Sequence, residues 1–423
     1  MKQLSTILNR FKFAVEKGFL YIFGSRIINR IVRFATSVVI IRLLSKETFG
    51  SYSYAMNILD FFLLLSGLGV VSSILQFCSE KKALKDKLPY LKYGFEIGFS
   101  FNLLLALSII VFTRVFELPV KGSSDILLYL SLIPAFTVFF EIMGAFFRSN
   151  LQNKEFSYLG ISNIFVYFLG TVIGGYLFKV YGIIAGRYIA LIIAILIGFK
   201  FLRKEVAALK DTYLPIKKEK IEFLKYSIVV TLTNSISQIL FLLDIFLIGI
   251  IIKEEAVVAS YRTATLIPFA LTFIPKSVMT FAYPYFAQNM KNKNKIKRYF
   301  LEMQRYLVIL NLAISLILII FAPLIIKILF GSQYLDSVIS FRILSLGYFF
   351  AGSFRIPAGN VLASIRKVKI NLYNSIASGI LNILLDIVLI IKYGSVGAAI
   401  ATTSIFLVSS IISNGYLLSY LKK

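Results

Sequence analysis

The sequence predicts an all-α integral membrane protein of about twelve transmembrane helices. The 423-residue chain is 58% hydrophobic, whereas soluble globular chains are roughly 45–50% apolar. The excess lies in runs of about 20–25 residues, which is the length that an α-helix needs to cross a bilayer. These runs are continuous rather than alternating, as in Leu316–Phe321, so helices fit the pattern better than a β-barrel.

The predicted helices follow one another along the chain with short polar gaps. They cover residues 19–43, 50–76, 93–116, 124–147, 156–178, 182–202, 223–252, 257–287, 301–329, 337–362, 369–391 and 395–419. The longest polar connector, residues 203–222, separates an N-terminal lobe at 1–202 from a C-terminal lobe at 223–423.

Two short internal sequence similarities indicate that the lobes are related. Gly50-Ser51-Tyr52 corresponds to Ala259-Ser260-Tyr261, and Tyr181-Gly182 corresponds to Tyr393-Gly394, at nearly the same offset. A parallel repeat of this kind predicts two pseudo-symmetric six-helix lobes around a central cavity.

The distribution of lysine and arginine predicts the orientation. Most of the 46 basic residues fall in alternate gaps. These gaps are Lys2–Lys17, Lys81–Lys92, Arg148–Lys154, Lys200–Lys225, Lys291–Arg305, Arg366–Lys369 and Lys422–Lys423. Basic loops stay on the cytoplasmic side, so we expect both termini there. Because the net charge of +26 is spread over these gaps, we expect no nucleic-acid partner.

The composition excludes several kinds of active site. The chain has no histidine and one cysteine, Cys78, which excludes histidine catalysis, histidine metal ligation and a disulfide framework. It also lacks a phosphate-binding Gly-Lys-Ser/Thr loop and a Gly-x-Ser-x-Gly nucleophile motif. We therefore expect neither an enzyme with catalytic residues nor a bound cofactor.

A polar stripe follows the first predicted helix. Arg26, Asn29, Arg30 and Arg33 are spaced by three and four residues, which places them on one face. A charge at membrane depth is costly and usually faces a bundle interior or a wet cavity. Such a cationic wall predicts an anionic substrate group, since the planar guanidinium favours phosphate or carboxylate. Alternatively, Arg26 and Arg30 extend to the cytoplasmic headgroups.

Other basic residues lie within or near the predicted spans: Arg187, Arg262, Lys276, Arg342 and Arg355. Arg262 follows the repeated Ser-Tyr pair and Lys276 follows Pro275, so we expect these two to line the same cavity from the second half. Arg342 fits a position near the outer headgroups equally well.

Acidic and amide groups in the second half form a separate set. Asn382 and Asp386 are four residues apart on one helix, Asp244 lies inside another, and Thr402 follows on a third. Carboxylate, amide and hydroxyl oxygens suit a hard cation such as Na⁺, and a membrane carboxylate can instead carry a proton. The alternative is that these acids pair with nearby arginine or lysine.

The chain resembles the polysaccharide flippases of the multidrug/oligosaccharidyl-lipid/polysaccharide (MOP) exporter superfamily, which includes the MATE transporters. The segments that carry the resemblance are Arg42–Tyr52, Leu329–Tyr334, Arg342–Gly347 and Asn382–Thr402. The resemblance implies a transporter that flips undecaprenyl-diphosphate-linked oligosaccharide units to the outer leaflet by alternating access. It places the chain in a bacterial cytoplasmic (inner) membrane, in O-antigen, capsule or other surface polysaccharide assembly.

The resemblance also implies an ion site and partners. Lipid II flippase relatives bind Na⁺ through two Asp, an Asn, a carbonyl and a Thr, and Asp244, Asn382, Asp386, Ala398 and Thr402 stand at the matching places. Na⁺ or H⁺ is thus the expected coupling ion. A monomer is expected, with a polysaccharide polymerase and a chain-length regulator as partners. The chain departs from those relatives in having twelve predicted helices rather than fourteen.

Two other functions remain open at this stage. A cation-coupled multidrug exporter of the same superfamily would call for acidic cavity residues, because its cargo is commonly cationic, and the arginine stripe argues against it. A membrane glycosyltransferase or glycan polymerase would be expected to have a sizeable polar loop.

Overall fold

The computed structural model of the chain describes residues 19–422, and all of their side chains except those of 19–23, 236, 237, 240 and 241. The basic segment Lys2–Lys17 and Lys423 lie outside the described residues. Between residues 19 and 422 the secondary structure is helical, without a β-strand, which confirms the predicted fold class.

The helices are named here in chain order. The first eight are α1 Phe19–Leu43, α2 Lys46–Leu63, α3 Val70–Glu80, α4 Leu84–Val115, α5 Ser123–Leu130, α6 Ile133–Ser149, α7 Asn153–Phe201 and α8 Arg203–Ala208. The others are α9 Lys217–Ile251, α10 Glu255–Leu271, α11 Phe273–Gln288, α12 Lys293–Ile320, α13 Ala322–Leu329, α14 Val338–Phe350, α15 Ile356–Ser364 and α16 Val368–Lys422. Short 3₁₀ turns at Ser66–Gly69 and Ser332–Ser337 and a π-helical turn at Ala351–Arg355 connect neighbouring helices.

Many of these helices are suited to a bilayer. In the described part of the chain, 7 helical stretches are long and apolar enough to cross a membrane, or 8 if the pair α5 and α6, bent by 44°, is one span. The chain is therefore a multi-pass membrane protein. The number twelve stays a prediction.

The two longest helices are each broken near the middle. α7 has 49 residues and α16 has 55, and a straight helix of that length would measure more than about 70 Å, over twice the hydrocarbon thickness. The break in α7 is at Lys179 (φ 52°, ψ −131°) and that in α16 is at Gly394 (φ 57°, ψ −136°). The two breaks share one backbone conformation, which supports the predicted repeat.

The halves of each broken helix fold back against each other. In α7 a Cβ atom on Gly182 would lie 1.8 Å from the carbonyl oxygen of Gly174, and one on Gly186 would lie 2.7 Å from the carbonyl carbon of Gly170. In α16 a Cβ on Gly397 would lie 2.0 Å from the carbonyl oxygen of Leu389. Small residues permit this backbone approach, so α7 and α16 are helical hairpins.

The packing divides the chain into two compact units. Of the described residues, the first contains 19–44, 55–118 and 122–238, and the second contains 45–54, 119–121 and 239–422. The predicted lobes at 1–202 and 223–423, with a connector at 203–222, stay a prediction.

In the first unit α1 packs along α7, and α3, α4, α6 and α7 surround an apolar core. The core includes Val70, Ile142, Phe147 and Phe223, which are fully buried. The segment after α8 packs on α4, where Lys92 Nζ donates to the carbonyl oxygen of Thr212 at 2.9 Å.

In the second unit α10, α12 and α16 pack on α14, and α11 packs on α15. The start of α2 belongs to this unit: Lys46 Nζ lies 2.6 Å from Asp336 Oδ2 in an ion pair. Ser260 Oγ donates to the same carboxylate oxygen at 2.7 Å. The ion pair therefore joins three segments that are distant in sequence.

Candidate functional site

A buried carboxylate lies at the centre of the second unit. Asp244 on α9 is 5% exposed. Thr402 Oγ1, in the second half of α16, donates to Asp244 Oδ2 at 2.6 Å. The hydroxyl of Tyr261 on α10 donates to the same oxygen. Hydrogen bonds from two neighbouring helices thus position the carboxyl group of Asp244.

A second carboxylate faces the first. Asp386 is fully buried in the first half of α16, and Asn382 Nδ2, one helical turn earlier, donates to Asp386 Oδ2 at 2.7 Å. The carboxyl groups of Asp386 and Asp244 interact with each other. We name Asp244, Tyr261, Asn382, Asp386 and Thr402 the carboxylate cluster.

Two oxygens of the carboxylate cluster have no hydrogen-bond partner among the described residues. They are Asp244 Oδ1 and Asp386 Oδ1, and both are buried. Buried polar atoms are nearly always satisfied, and two facing carboxylates in a low dielectric repel each other. A cation or a proton between them would remove both costs. The donor set, with carboxylate, amide and hydroxyl oxygens, fits Na⁺.

A small cavity opens at the carboxylate cluster. It has a volume of about 20 Å³, which is room for roughly one water-sized particle. Its lining residues are Asp244, Phe269, Arg355, Asn382, Thr402, Ile405 and Phe406. Ala398 is fully buried one turn before Thr402, and the role of its carbonyl oxygen stays a prediction.

The predicted stripe on α1 is divided between two environments. Arg26, Arg30 and Arg33 are exposed, whereas Asn29 is half-buried. Asn29 Nδ2 donates to the carbonyl oxygen of Ser25 at 2.8 Å. Asn29 therefore stabilises the helix and the contact with α7 rather than extending the cationic surface.

Arg33 lies within electrostatic range of a second arginine in the first unit. It interacts electrostatically with Arg187 and with Tyr167, both on α7. The guanidinium carbon of Arg187 lies 5.0 Å from the centroid of the Tyr167 ring, a cation–π distance. Arg187 Nε is buried without a hydrogen-bond partner among the described residues. We name Arg33 and Arg187 the arginine pair.

The arginine pair has an acidic neighbour but no direct ion pair among the described residues. Glu141 interacts with Arg187 electrostatically, but in the part of the chain that the structure describes no carboxylate lies within 4 Å of either guanidinium. Two like charges on neighbouring helices favour an anion between them. The α7 hairpin is what creates this arrangement, because Tyr167 and Arg187 lie on its two halves.

The two predicted basic residues of the second half lie on neighbouring helices. Arg262 on α10 is half-buried, and Lys276 on α11 is exposed. That they share a cavity with the arginines of α1 stays a prediction.

Sequence reasoning missed two members of these sites. The sequence marks Tyr261 only as part of the repeat, whereas in the structure its hydroxyl donates a hydrogen bond to Asp244. Arg187 was one of five scattered basic residues, and only the hairpin brings it to Arg33. A tyrosine next to an intramembrane arginine, as in Tyr261-Arg262, was the available signal for the first.

Two solved structures share the fold over nearly the whole chain. A multidrug resistance MATE family transporter of the MOP superfamily, in an inward-facing conformation, is 15% identical with a TM-score of 0.74, covering 93% of this chain and 94% of its own. The lipid II flippase MurJ, inward closed, is 20% identical with a TM-score of 0.73, covering 96% and 88%. These similarities confirm the predicted MOP-superfamily fold.

Two curated relatives match parts of the chain. The putative O-antigen transporter of Shigella flexneri is 26% identical over 243 residues, which are 57% of this chain and 55% of that protein. The probable low-salt glycan biosynthesis flippase Agl15 of Haloferax volcanii is 26% identical over 333 residues, 75% of this chain and 66% of that protein. The chain thus spans less than two thirds of either relative.

A match to a family supplies the assignment of the chain. Residues 39–339, more than half of the chain, match the family described as polysaccharide biosynthesis protein. The matched range begins in α1 and extends into α14, so it includes Asp244, Tyr261 and Arg187. The chain belongs to the polysaccharide biosynthesis protein family.

Proposed function

We propose that this chain flips a lipid-diphosphate-linked oligosaccharide, carried on undecaprenol, from the cytoplasmic to the outer leaflet of a bacterial inner membrane. The family match and the names of the two curated relatives support a transporter of glycan precursors rather than an enzyme. The product serves O-antigen, capsule or another surface polysaccharide, which a polymerase and a chain-length regulator then assemble.

The observation that carries this proposal is the arginine pair. Arg33 and Arg187 are two like charges on membrane helices without a carboxylate within 4 Å among the described residues. Guanidinium groups bind phosphate through paired N–H donors, and a diphosphate offers enough oxygens for both. The exposed Arg26 and Arg30 extend the cationic surface from this pair along α1. Arg262 and Lys276 complete the recognition of the headgroup from the second half.

The carboxylate cluster supplies the coupling. Asp244, Asn382, Asp386 and Thr402, with the carbonyl oxygen of Ala398, would hold Na⁺ at the unpartnered carboxylate oxygens. A bound Na⁺ offsets one of the two negative charges, reduces the repulsion between the carboxylates and thereby favours the close packing of α9, α10 and α16. If H⁺ is the coupling ion instead, the same carboxylates carry it.

A drug exporter is the second candidate, because the MATE transporter shares the fold as closely as MurJ does. The sign of the charged groups separates the two functions. An intramembrane arginine pair repels the cations that such exporters commonly carry, whereas it attracts a diphosphate.

Surface glycan in living cells tests the proposal. In a strain that lacks the gene, wild-type protein should restore surface polysaccharide, and a well-expressed Arg33→Gln/Arg187→Gln variant should not. Arg342→Gln is the matched control, because Arg342 is an exposed arginine whose Nε donates to the carbonyl oxygen of Ile319, outside both sites. Normal glycan with the double variant would reject the anion site, and altered drug susceptibility without a glycan defect would favour the exporter.

A further inference from the structure

A π-helical turn interrupts the helix that faces the carboxylate cluster. It spans Ala351–Arg355, between α14 and α15, and Pro357 follows it. Proline has no N–H group, so the carbonyl of Ser353 loses its usual donor four residues later. Gln304 Nε2 donates to that oxygen at 3.3 Å instead, and Ser410 Oγ donates to the carbonyl of Phe350 at 3.1 Å. Neighbouring side chains therefore stabilise the irregular turn.

The π-helical turn places Arg355 in the cavity of the carboxylate cluster. A π turn adds one residue to a helical turn and so changes the direction of the side chains that follow, a feature often found at functional sites. Arg355 lines the same cavity as Asp244, Asn382 and Thr402. Its guanidinium carbon lies 5.3 Å from the centroid of the Phe406 ring.

Arg355 lies near the carboxylates without pairing with them. Among the described residues no carboxylate oxygen lies within 4 Å of its guanidinium. The guanidinium instead lies over the aromatic face of Phe406. In the same cavity wall, Asp244 keeps an unpartnered buried oxygen. A half-buried cation and a buried anion that share a cavity attract each other, so their separation leaves room for a third charge.

We propose that Arg355 is a built-in cation that exchanges with the coupling ion at the carboxylate cluster. This inference rests on the ion site of the proposed function. When the ion is bound, the guanidinium rests on Phe406. When the ion leaves, the guanidinium moves to Asp244 and Asp386, so the buried carboxylates always have a positive charge beside them. Because bare buried charges are costly, Arg355 lowers the affinity for the ion and makes its release easier.

Binding of ²²Na⁺ to the purified full-length protein in detergent tests this exchange. Arg355→Gln removes the competing charge and should lower the dissociation constant for Na⁺ by about tenfold or more, as expected for a unit charge within about 12 Å at an effective dielectric constant near 20. Arg355→Lys keeps the charge and should stay near the wild-type value, as should Arg342→Gln.

Phe406→Leu provides a variant with the opposite sign. It removes the aromatic face on which the guanidinium rests, so Arg355 should move toward the carboxylates and the affinity for Na⁺ should fall. A merely destabilised site would weaken binding in both Arg355→Gln and Phe406→Leu. Only the exchange predicts tighter binding in the first and weaker binding in the second.

The outcomes separate this inference from the function on which it rests. Equal affinity of Arg355→Gln and wild type, with binding abolished by Asp244→Asn, would overturn the exchange and keep the ion site. Binding in Arg355→Gln but not in wild type would support the exchange. No ²²Na⁺ binding in any variant would overturn the Na⁺ site itself.

Discussion

The substitution Gly182→Ala tests the hairpin that assembles the arginine pair. A Cβ atom at position 182 would lie 1.8 Å from the carbonyl oxygen of Gly174, whereas a carbon–oxygen contact needs roughly 3.2 Å, which is ordinary van der Waals packing. The two halves of α7 must then separate by about 1.4 Å. Overpacking of this kind costs about 3 kcal/mol, which exceeds the gain of about 1 kcal/mol from replacing glycine by alanine in a helix.

Thermal unfolding measures this loss directly. The lone cysteine, Cys78, is fully buried, so a thiol-reactive dye reports unfolding without any engineered label. We expect Gly182→Ala to lower the melting temperature by about 2–4 °C, because the net loss of about 2 kcal/mol acts on the large unfolding entropy of a 423-residue chain. Gly415→Ala is the matched control, because a Cβ there meets nothing within 4 Å, and it should leave the melting temperature unchanged or slightly raised.

A second consequence links the hairpin to function. Opening α7 moves Arg187 away from Tyr167, so Gly182→Ala should also weaken binding of a diphosphate lipid. If Gly182→Ala unfolds at the wild-type temperature, the two halves do not pack as described, and the arginine pair loses its structural basis.

Three further predictions concern single positions. Lys179→Gly should raise the melting temperature, because glycine tolerates a φ of 52° and a ψ of −131°. The same backbone conformation costs lysine about 1 kcal/mol or more. An unchanged or lower melting temperature would contradict this conformation. Thr402→Val should weaken ²²Na⁺ binding by about tenfold, since it removes a potential ligand and a hydroxyl that donates to Asp244 Oδ2 at 2.6 Å. Hydrogen bonds to charged groups contribute about 1.5–3 kcal/mol. An affinity equal to that of the wild type would exclude Thr402 from the site. Asp336→Asn should lower the melting temperature slightly, because the pair of Lys46 with this partly exposed carboxylate contributes about 1 kcal/mol or less; a large drop would show a stronger role for the pair.

The sequence predicted the apolar centres of the helices well but not their ends. The predicted helix 93–116 is α4 Leu84–Val115, and the predicted helix 223–252 is α9 Lys217–Ile251. Hydropathy detects the part of a helix that lies in hydrocarbon, whereas the polar turns beyond it depend on local contacts. In α4, for example, Lys87 Nζ donates to Asn150 Oδ1 at 2.6 Å, a contact that no periodicity reveals.

The same limit applies to the candidate site. The spacing of Asn382 and Asp386 predicted their shared face, and the hydrogen bond between them agrees with it. The contacts between helices could not be predicted from spacing: Tyr261 reaches Asp244 from another helix. Arg355 lies at the end of the π-helical turn and lines the cavity, and one residue more or less in a turn rotates a side chain by about 100°.

Flipping of an undecaprenyl-diphosphate oligosaccharide by the purified protein in liposomes tests the central claim most directly. We expect transfer between leaflets that accelerates in a Na⁺ or H⁺ gradient. Arg33→Gln/Arg187→Gln should reduce transfer to the rate of protein-free liposomes, while Arg342→Gln should retain the wild-type rate. Transfer at the wild-type rate by the double variant, or no transfer by the wild-type protein in either gradient, would contradict the account.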